Sequence, residues 1–381
     1  MAKGDTWQSE RRPRRDLRTG VDYWQLTDHR CHSHHLCFTN QGWYADGRRL
    51  LIASDRDNCV NLFGLDLETG ELRQLTESEE QPPDPGPRLQ GASKNPRREE
   101  VYYWWGADLI ALDLEDLSER LIWRITGRFV PGITSATADG EFVCCVLVED
   151  LGDRLHIDLE HGIVGFQEVW AAHPLCRILR IPVGGGDAEV LLEERRWLGH
   201  ANASPTHPEL VTFCHEGPWN LVDHRIWGFD LRTRESWPIG PREPGRRVGH
   251  EHWLEDGEHI GYHGTHPLSG SFVGSVRYDG SDRLESSFAE RTTHVHSNDW
   301  SEIVGDGTPA DPRLLLWRQR DGVFDGPRTI LTHRGSFHTA QLQVAPRFSP
   351  DGGRIVFTSD DTGYGNVYLV ETPAFDGLAA D

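Results

Sequence analysis

Residues 345–371 read APRFSPDGGRIVFTSDDTGYGNVYLVE, and this stretch holds the pattern that decides the fold. Runs rich in apolar and β-branched residues at 345–349, 355–359 and 366–371 are separated by an Asp351-Gly352 turn and by a polar loop. An Asx-Gly dipeptide between such runs is the strongest short signal for a β-hairpin. The stretch therefore predicts three antiparallel strands, with no fourth strand of its own before the sequence ends.

Turn signals of this kind recur along the whole chain at regular intervals. Their first residues are Asp46, Asn95, Asp139, Thr206, Asp256, Trp300 and Asp351. Five of the six intervals between them are 44–51 residues long and the third is 67 residues long. Each repeat carries short β-rich runs, and a propeller blade has about 40–50 residues. The spacing predicts an all-β, seven-bladed β-propeller that forms a single domain over residues 1–381.

Two irregularities of the repeat have structural meaning. Residues 22–27 precede the first repeat and resemble residues 72–76, which form the fourth strand of that repeat. We expect this N-terminal strand to supply the outer strand that the last repeat lacks and so to close the ring, because closure removes exposed sheet edges. The long third interval predicts a short insertion in blade three at residues 151–174, in which residues 166–172 can form a short helix.

Charge and composition exclude several classes of function. The 381 residues carry 39 Lys and Arg against 60 Asp and Glu, a net charge of −21, which argues against nucleic acid as a partner. No stretch approaches the ~20 apolar residues of a membrane span, and the N-terminus shows no apolar signal region, so we expect a cytoplasmic protein with no membrane partner. The seven cysteines form no C-x-x-C pair and are expected to be reduced. Nucleophile-elbow, P-loop and dinucleotide-binding motifs are absent.

Histidines fall at corresponding places in several repeats. Counting six residues back from the turn reaches His200, His250 and His294, with His252 and His296 two positions further on. The first strand of a propeller blade lines the central channel, so we expect these imidazoles near one mouth of that channel. Other candidates are His35, just upstream in the first repeat, and the His215 and Arg225 pair in the fourth. Each histidine alone is as well explained by hydrogen bonding to backbone, whereas a cluster favours a binding site.

Several phrases of the sequence resemble the oligogalacturonate lyase family. They are Met1-Ala-Lys-Gly4, Trp197-Leu-Gly-His200, Phe213-Cys-His-Glu-Gly-Pro218, Arg225-Ile-Trp227, His250-Glu-His-Trp253, Val304-Gly-Asp-Gly307 and Phe357-Thr-Ser-Asp360. The resemblance spans residues 1 to about 371. It implies a cytoplasmic seven-bladed propeller that cleaves short pectin fragments by β-elimination, a polysaccharide lyase of pectin degradation.

The resemblance also implies roles for individual residues. His250 matches the family's base, and Arg225 matches an active-site arginine. The candidate substrate-binding residues are His200, His215, His35, His252 and Gln341. The partner that this site implies is an acidic oligosaccharide, and the net charge of −21 then requires a locally cationic site for its carboxylates.

A divalent, manganese-like ion is the cofactor implied by the resemblance. The family binds it through three histidines and a glutamine, and His294 matches one of these histidines. Aligned on Pro346, the other three ligands become Ala340, Gln343 and Ala345. Gln341 or His338 can replace them only if the strand register slips. The sequence therefore predicts that no tight manganese site of the family type is formed.

Three functions remain open from the sequence. The first is a lyase for oligogalacturonate, with a histidine as base. The second is a metal-independent lyase for another uronate linkage. The third is a non-catalytic propeller that binds a sugar acid or a protein.

Overall fold

The computed structural model describes residues 2–78, 89–159, 163–222, 224–240, 243–288 and 291–380, and these residues form 31 strands, β1–β31 in chain order, and one α-helix. Two compact units are distinguished, the first with residues 1–81, 261–275 and 284–381, the second with residues 82–260 and 276–283. The predicted single domain over residues 1–381 stays a prediction.

The described strands are arranged in seven antiparallel sheets, which are the seven blades of a β-propeller, as the repeat predicts. The first sheet contains β1 (Thr6–Trp7), β4 (Ser33–His35), β5 (Trp43–Tyr44), β6 (Arg49–Ser54), β7 (Asn61–Asp66) and β8 (Leu72–Gln74). The second contains β9 (Ser93–Lys94), β10 (Glu100–Trp105), β11 (Asp108–Asp113) and β12 (Glu119–Arg124). The third contains β13 (Phe129–Ala136), β14 (Phe142–Glu149), β15 (Leu175–Pro182) and β16 (Glu189–Arg195).

Of the remaining four sheets, three are built from consecutive strands, and the seventh also contains two strands from the N-terminal part of the chain. The fourth contains β17 (Leu198–Ala203), β18 (Leu210–His215), β19 (Ile226–Asp230) and β20 (Ser236–Pro238). The fifth contains β21 (Arg247–Trp253), β22 (His259–His266), β23 (Gly270–Arg277) and β24 (Leu284–Ser287). The sixth contains β25 (Val295–His296), β26 (Glu302–Gly305), β27 (Arg313–Arg320) and β28 (Val323–Thr332). The seventh contains β2 (Arg12–Arg15), β3 (Asp22–Gln25), β29 (Arg347–Phe348), β30 (Arg354–Ser359) and β31 (Asn366–Glu371).

Glycines at the predicted turns have the backbone conformation that these turns require. Gly47, Gly140, Gly257 and Gly352 of the four Asp-Gly dipeptides all have φ between +69° and +75°. Only glycine adopts such angles at no steric cost, so the dipeptide fixes where each sheet reverses direction. The strands that follow are apolar and buried; in β30, for example, five of the six residues are buried.

The N-terminal strand closes the seventh sheet, as predicted. β3 pairs antiparallel with β31, with Trp24 opposite Leu369, and the backbone N–H of Leu26 donates to the Val367 carbonyl at 2.8 Å. β2 adds one further strand outside β3, which the sequence pattern did not predict. The Leu26 side chain is fully buried in the apolar cluster that also contains Val367 and Leu369.

The insertion in the third sheet contains the expected helix. Helix α1 (Phe166–Ala172) lies between β14 and β15, while residues 160–162 of the insertion lie outside the described residues. Phe166 contacts Trp197 with ring centroids 5.0 Å apart. Trp170 lies so close to Gly217 that a Cβ there would come within 2.2 Å of the indole. The helix therefore packs against the segments that begin the fourth sheet and that follow β18.

All seven cysteines are free thiols, as the sequence predicts. Within the described ranges, no helix has both the length and the apolar character needed to cross a membrane.

Replacing Leu26 with Ala should lower the free energy of unfolding by about 2–5 kcal/mol, because it leaves a cavity where the N-terminal segment meets β31. Denaturant unfolding measures the change. Leu17→Ala is the matched control, since Leu17 is 95 % exposed and its loss should cost under about 0.5 kcal/mol. Equal stability of the two variants would contradict the role assigned to the closing segment.

Candidate active site

A buried arginine is at the centre of a charged cluster in the second unit. Arg225 lies directly before β19, and its Nη1 and Nη2 donate to Oε1 and Oε2 of Glu216 at 3.0 and 3.3 Å. Its Nε donates to Oε2 of Glu251, on β21, at 3.0 Å. The planar guanidinium therefore uses its fork on Glu216 and its edge on Glu251, a geometry that lysine cannot reproduce.

Glu251 is fully buried and links Arg225 to a histidine. Its Oε1 lies 3.1 Å from Nδ1 of His200, on β17. Burial alone would raise the pKa of Glu251, but the charge of Arg225 and the hydrogen bond with His200 hold that pKa well below its ordinary value. The carboxylate therefore stays ionised and fixes the orientation of the His200 ring.

Cys214, at the end of β18, also contacts this cluster. Its Sγ donates to Oε2 of Glu216 at 3.6 Å, and burial raises the pKa of the thiol well above its ordinary value. His200, Cys214 and Glu216 are the one group of three His, Cys, Asp or Glu donors, among the described residues, whose ligand atoms lie within 4.8 Å of one another. Because Arg225 already binds both oxygens of Glu216 and the thiol remains protonated, the geometry favours an ion-pair network over a cation site.

Two histidines on β-strands of the second unit have an unusual backbone conformation. His200 and His250 have φ of +47° and +52°, a region that costs a residue with a Cβ about 1–3 kcal/mol. His200 lies in a β-bulge, where the register between β17 and β18 shifts between Gly199 and Asn202. Such backbone strain is concentrated at functional sites. There it changes the direction of a side chain from the one that a regular strand would give it.

His250 is half-buried on β21 beside an indole. The ring of Trp219 stands edge-on to the imidazole, with centroids 5.9 Å apart. Trp219 also covers Gly249, where a Cβ would come within 2.2 Å of the indole. His252 is buried, with Nδ1 3.3 Å from the His250 carbonyl oxygen, which places it behind the backbone of His250.

The backbone N–H of His215 donates to the Arg225 carbonyl at 2.9 Å, but its imidazole has other partners. Arg196 donates to its Nδ1 at 2.9 Å, and its Nε2 lies 3.7 Å from Glu194. The imidazole packs on Trp227, with centroids 4.6 Å apart. We therefore leave His215 out of the site proposed below.

His35, in the first unit, has both ring nitrogens bound within the protein. Nδ1 lies 2.7 Å from the Thr358 hydroxyl, and Nε2 donates to the Ala345 carbonyl at 2.9 Å. Burial lowers the pKa of His35 to about 4, so the imidazole is neutral. It ties the first sheet to the seventh, and we do not include it among the proposed substrate contacts.

His294, also in the first unit, is oriented by a buried carboxylate. Its Nδ1 lies 2.7 Å from Oδ2 of Asp306, and its backbone N–H donates to Oδ1 at 2.7 Å. Burial would raise the pKa of Asp306, but the charge and hydrogen bonds of His294 lower it. A carboxylate on one ring nitrogen fixes the tautomer of an imidazole and directs the other nitrogen to its task.

Comparison with known proteins identifies the family. The chain matches the oligogalacturonate lyase family model over residues 1–314. It is 29 % identical to an oligogalacturonate lyase of Dickeya dadantii strain 3937, with 98 % of this chain and 99 % of that protein covered.

Two solved structures are similar along almost the whole chain. One is an oligogalacturonate lyase in complex with manganese (26 % identity, TM-score 0.86), the other an oligogalacturonate lyase from Vibrio parahaemolyticus (25 % identity, TM-score 0.86). Both alignments cover 98 % of this chain and 99 % of the other. The chain belongs to the oligogalacturonate lyase family. It is accordingly a lyase.

The residues near His294 do not fit the manganese ligands that the family resemblance implies. Ala345 has a φ of +40°, close to the values at His200 and His250, but its side chain is a methyl group. Ala340 lies in a 3-10 turn, Ala340–Leu342, which also carries the half-buried Gln341. The described part of the first unit brings together no group of three His, Cys, Asp or Glu donors.

The structure adds residues to the candidate site that sequence reasoning did not single out. Glu216, Glu251 and Asp306 are the carboxylates that hold Arg225, His200 and His294. All three lie inside the phrases that carry the family resemblance, Cys-His-Glu-Gly-Pro, His-Glu-His-Trp and Val-Gly-Asp-Gly. These phrases therefore contained the acidic residues of the site, but the sequence analysis singled out only the histidines beside them.

Replacing Glu251 with Gln should lower the free energy of unfolding by on the order of 3 kcal/mol, because it leaves the charge of buried Arg225 less compensated. The folded pKa of Glu251 lies below the unfolded value of about 4.5, so its contribution is complete above that pH and declines as the pH falls. Denaturant unfolding near neutral pH measures the loss. Glu235→Gln, at an exposed position, is the control. An equally small change in the free energy of unfolding of both variants would contradict the stabilising role of the Arg225 network.

His35 should make the protein sensitive to mild acid. Its folded pKa of about 4 lies below the ordinary 6.5, so the unfolded chain takes up the proton first and stability falls as the pH drops below about 6.5. Between about pH 7 and pH 5 this single group should account for about 2 kcal/mol. His35→Gln should reduce the stability loss between these pH values by that amount; an unchanged difference would show that other groups cause it.

Proposed function

We propose that the protein cleaves short uronate-containing oligosaccharides, most simply oligogalacturonate, by β-elimination, with His250 as the base and without a manganese ion of the family type. Membership of the family supports the reaction class. The observation that carries the assignment to this site is the strained backbone at His250, in the same unit as the buried network of Arg225.

The reaction makes clear demands on the protein. The base removes the C5 proton next to the uronate carboxylate, the electron pair of that bond forms the C4–C5 double bond, and the C4–O bond breaks. The departing oxygen leaves with the second sugar and takes a proton. Because the C5 proton is weakly acidic and negative charge builds up on the carboxylate, the site must supply a neutral base and a cation close to that carboxylate.

His250 is suited to the base. Imidazole is the side chain that proteins most often use as a general base, because its unperturbed pKa lies nearest to neutral pH. Its half-buried position beside Trp219 supplies an aromatic wall against which a sugar ring can lie. Because φ is positive at His250, its side chain departs from the regular alternation of side chains along β21. This departure supports a functional role for the imidazole rather than a packing role.

In this proposal Arg225 does not itself bind the carboxylate of the substrate. Its guanidinium binds Glu216 and Glu251, so its charge is shared by two carboxylates. We infer that it positions Glu251 and, through it, His200, while the uronate carboxylate is bound by other cations. Arg225→Lys should therefore lower kcat strongly, since lysine cannot hold both glutamates in one plane.

A second candidate is a metal-independent lyase for another uronate linkage. The alanines at positions 340 and 345, where the family resemblance implies ligands, favour it. A propeller that binds a sugar acid or a protein without cleaving it is the third reading. Digalacturonate and mixed uronate oligomers, tested side by side, distinguish the three.

His250→Ala should lower kcat by about 10²–10⁴-fold, the usual contribution of a positioned general base. The assay follows the ultraviolet absorbance of the new double bond, which is conjugated with the carboxylate. The matched control is His156→Ala, because His156 is exposed on the insertion. Full activity in His250→Ala would place the base elsewhere, with His200 the next candidate. Binding without cleavage by the wild type would favour the non-catalytic reading.

A further inference from the structure

An indole lies beside the proposed base, within the same compact unit. Trp219 belongs to the turn that follows β18 and is half-buried, so part of its ring surface is accessible. Its ring centroid lies 5.9 Å from that of His250, and the two ring planes are inclined at 69°. The indole and the imidazole therefore form two adjoining surfaces, and a ligand the size of one sugar ring can contact both.

Gly249 makes room for the indole at this position. It is buried on β21, directly before His250, and a Cβ there would come within 2.2 Å of Cζ2 of Trp219. Cβ atoms in folded proteins essentially never lie so close to another heavy atom, so a side chain at position 249 would displace the indole. A glycine inside a strand often marks such a close approach of another group.

The insertion between β14 and β15 contacts the segment that carries Trp219. Trp170 of helix α1 lies against Gly217, where a Cβ would come within 2.2 Å of its indole and where φ is +140°. Only glycine adopts this conformation readily. The helix is itself anchored, because Val169 is buried in the apolar cluster that includes residues of β14, β17 and β18. Helix α1 therefore holds the chain two residues before Trp219.

Hydrogen bonds hold the same segment around Trp219. Three residues before it, the carboxylate of Glu216 accepts from Nη1 of Arg225 at 3.0 Å. The backbone N–H of Leu221 donates to the Pro218 carbonyl at 2.8 Å, which closes a turn about the indole. A side chain on a segment held at several points loses little further freedom when a ligand binds, and such preorganisation raises affinity.

A galacturonate ring has one face that suits this pair of surfaces. Its O4 is axial, and the C–H groups at C3, C4 and C5 lie together on the opposite, apolar face. The face of an aromatic ring carries partial negative charge and attracts the weakly positive hydrogens of such groups. The C5 hydrogen, which the base must remove, belongs to the same face. The surface that an indole can bind and the proton that an imidazole can take are therefore contiguous.

We propose that Trp219 binds the apolar face of the galacturonate ring on which the elimination takes place, and thereby selects a sugar with an axial O4. This inference rests on the proposed function for the base and for the class of ligand. In a glucuronate ring O4 is equatorial and the C4 hydrogen points to the other face, so the apolar surface is interrupted. Trp170 is a positioning residue, because it acts through Gly217 on the segment that carries Trp219.

The first test measures digalacturonate binding by isothermal titration calorimetry, in the His250→Ala background so that the ligand is not consumed. Adding Trp219→Ala should weaken binding roughly 10- to 100-fold, as for an aromatic residue that dominates an interface. Trp219→Phe should lose less affinity, because it keeps an aromatic face. Gly249→Ala should also weaken binding, although it leaves Trp219 in the sequence, because the added methyl group displaces the indole.

Gly184→Ala is the matched control for Gly249→Ala. Gly184 lies in the turn after β15, where a Cβ would meet no atom within 4 Å, so its replacement should leave digalacturonate binding unchanged. Denaturant unfolding checks that each variant is folded before the titration. Equal affinity of the Trp219→Ala variant and its His250→Ala parent would overturn the inference, as would the absence of digalacturonate binding to that parent.

A double-mutant cycle tests the positioning role of Trp170. In the same background, Trp170→Ala should weaken digalacturonate binding by up to about 10-fold, and Trp170→Phe should restore most of the affinity. Once Trp219→Ala is present, Trp170→Ala should have no further effect, because the two residues act in series. Additive losses of affinity would show that the helix does not act through Trp219.

The last test compares methyl α-galacturonoside with methyl α-glucuronoside, which differ only in the configuration at C4 and have no linkage between sugars to cleave. In saturation-transfer NMR, the wild type should transfer most magnetisation to the hydrogens at C3, C4 and C5 of the galacturonoside and less to the glucuronoside. Trp219→Ala should abolish this preference, and equal transfer to both sugars by the wild type would overturn the inference. Selective binding by a wild type that forms no double bond would uphold the inference and reject the proposed lyase activity.

Discussion

The pairing of β3 with β31 is the interaction on which the seventh sheet depends. Residues from the two ends of the sequence form one antiparallel ladder, and Leu26 is fully buried where they meet. Without β3, β31 would become an unpaired edge, which invites fraying and aggregation. The closing pair therefore joins residues that lie far apart in the sequence, since Trp24 stands opposite Leu369.

Charge is the second constraint, because the proposed substrate, a uronate oligosaccharide, and the protein both carry negative charge. With a net charge of −21, the protein repels uronates at long range, and affinity must come from cations held at the site. Arg225 shares its charge with Glu216 and Glu251, and in our proposal it positions His200 through Glu251.

The fold was predictable from the sequence because blade boundaries are set locally, by Asp-Gly turns whose glycines require positive φ. The closing strand was predictable because residues 22–27 resemble a known outer strand. The partners of the site residues were not, because hydrogen bonds such as Glu251 to His200 join residues 51 positions apart. The same holds for His35: the ligand contact expected from its position stays a prediction, and its two hydrogen bonds, to Thr358 and to the Ala345 carbonyl, could not be inferred from the sequence.

The central claim is that this member of the oligogalacturonate lyase family works with protein cations where its resemblance implies a metal ion. The most direct test is the rate of double-bond formation from digalacturonate by wild-type protein before and after dialysis against a strong chelator. We predict the same rate in both samples and no increase when manganese is added back. A rate that is abolished by the chelator and restored by manganese would contradict the account.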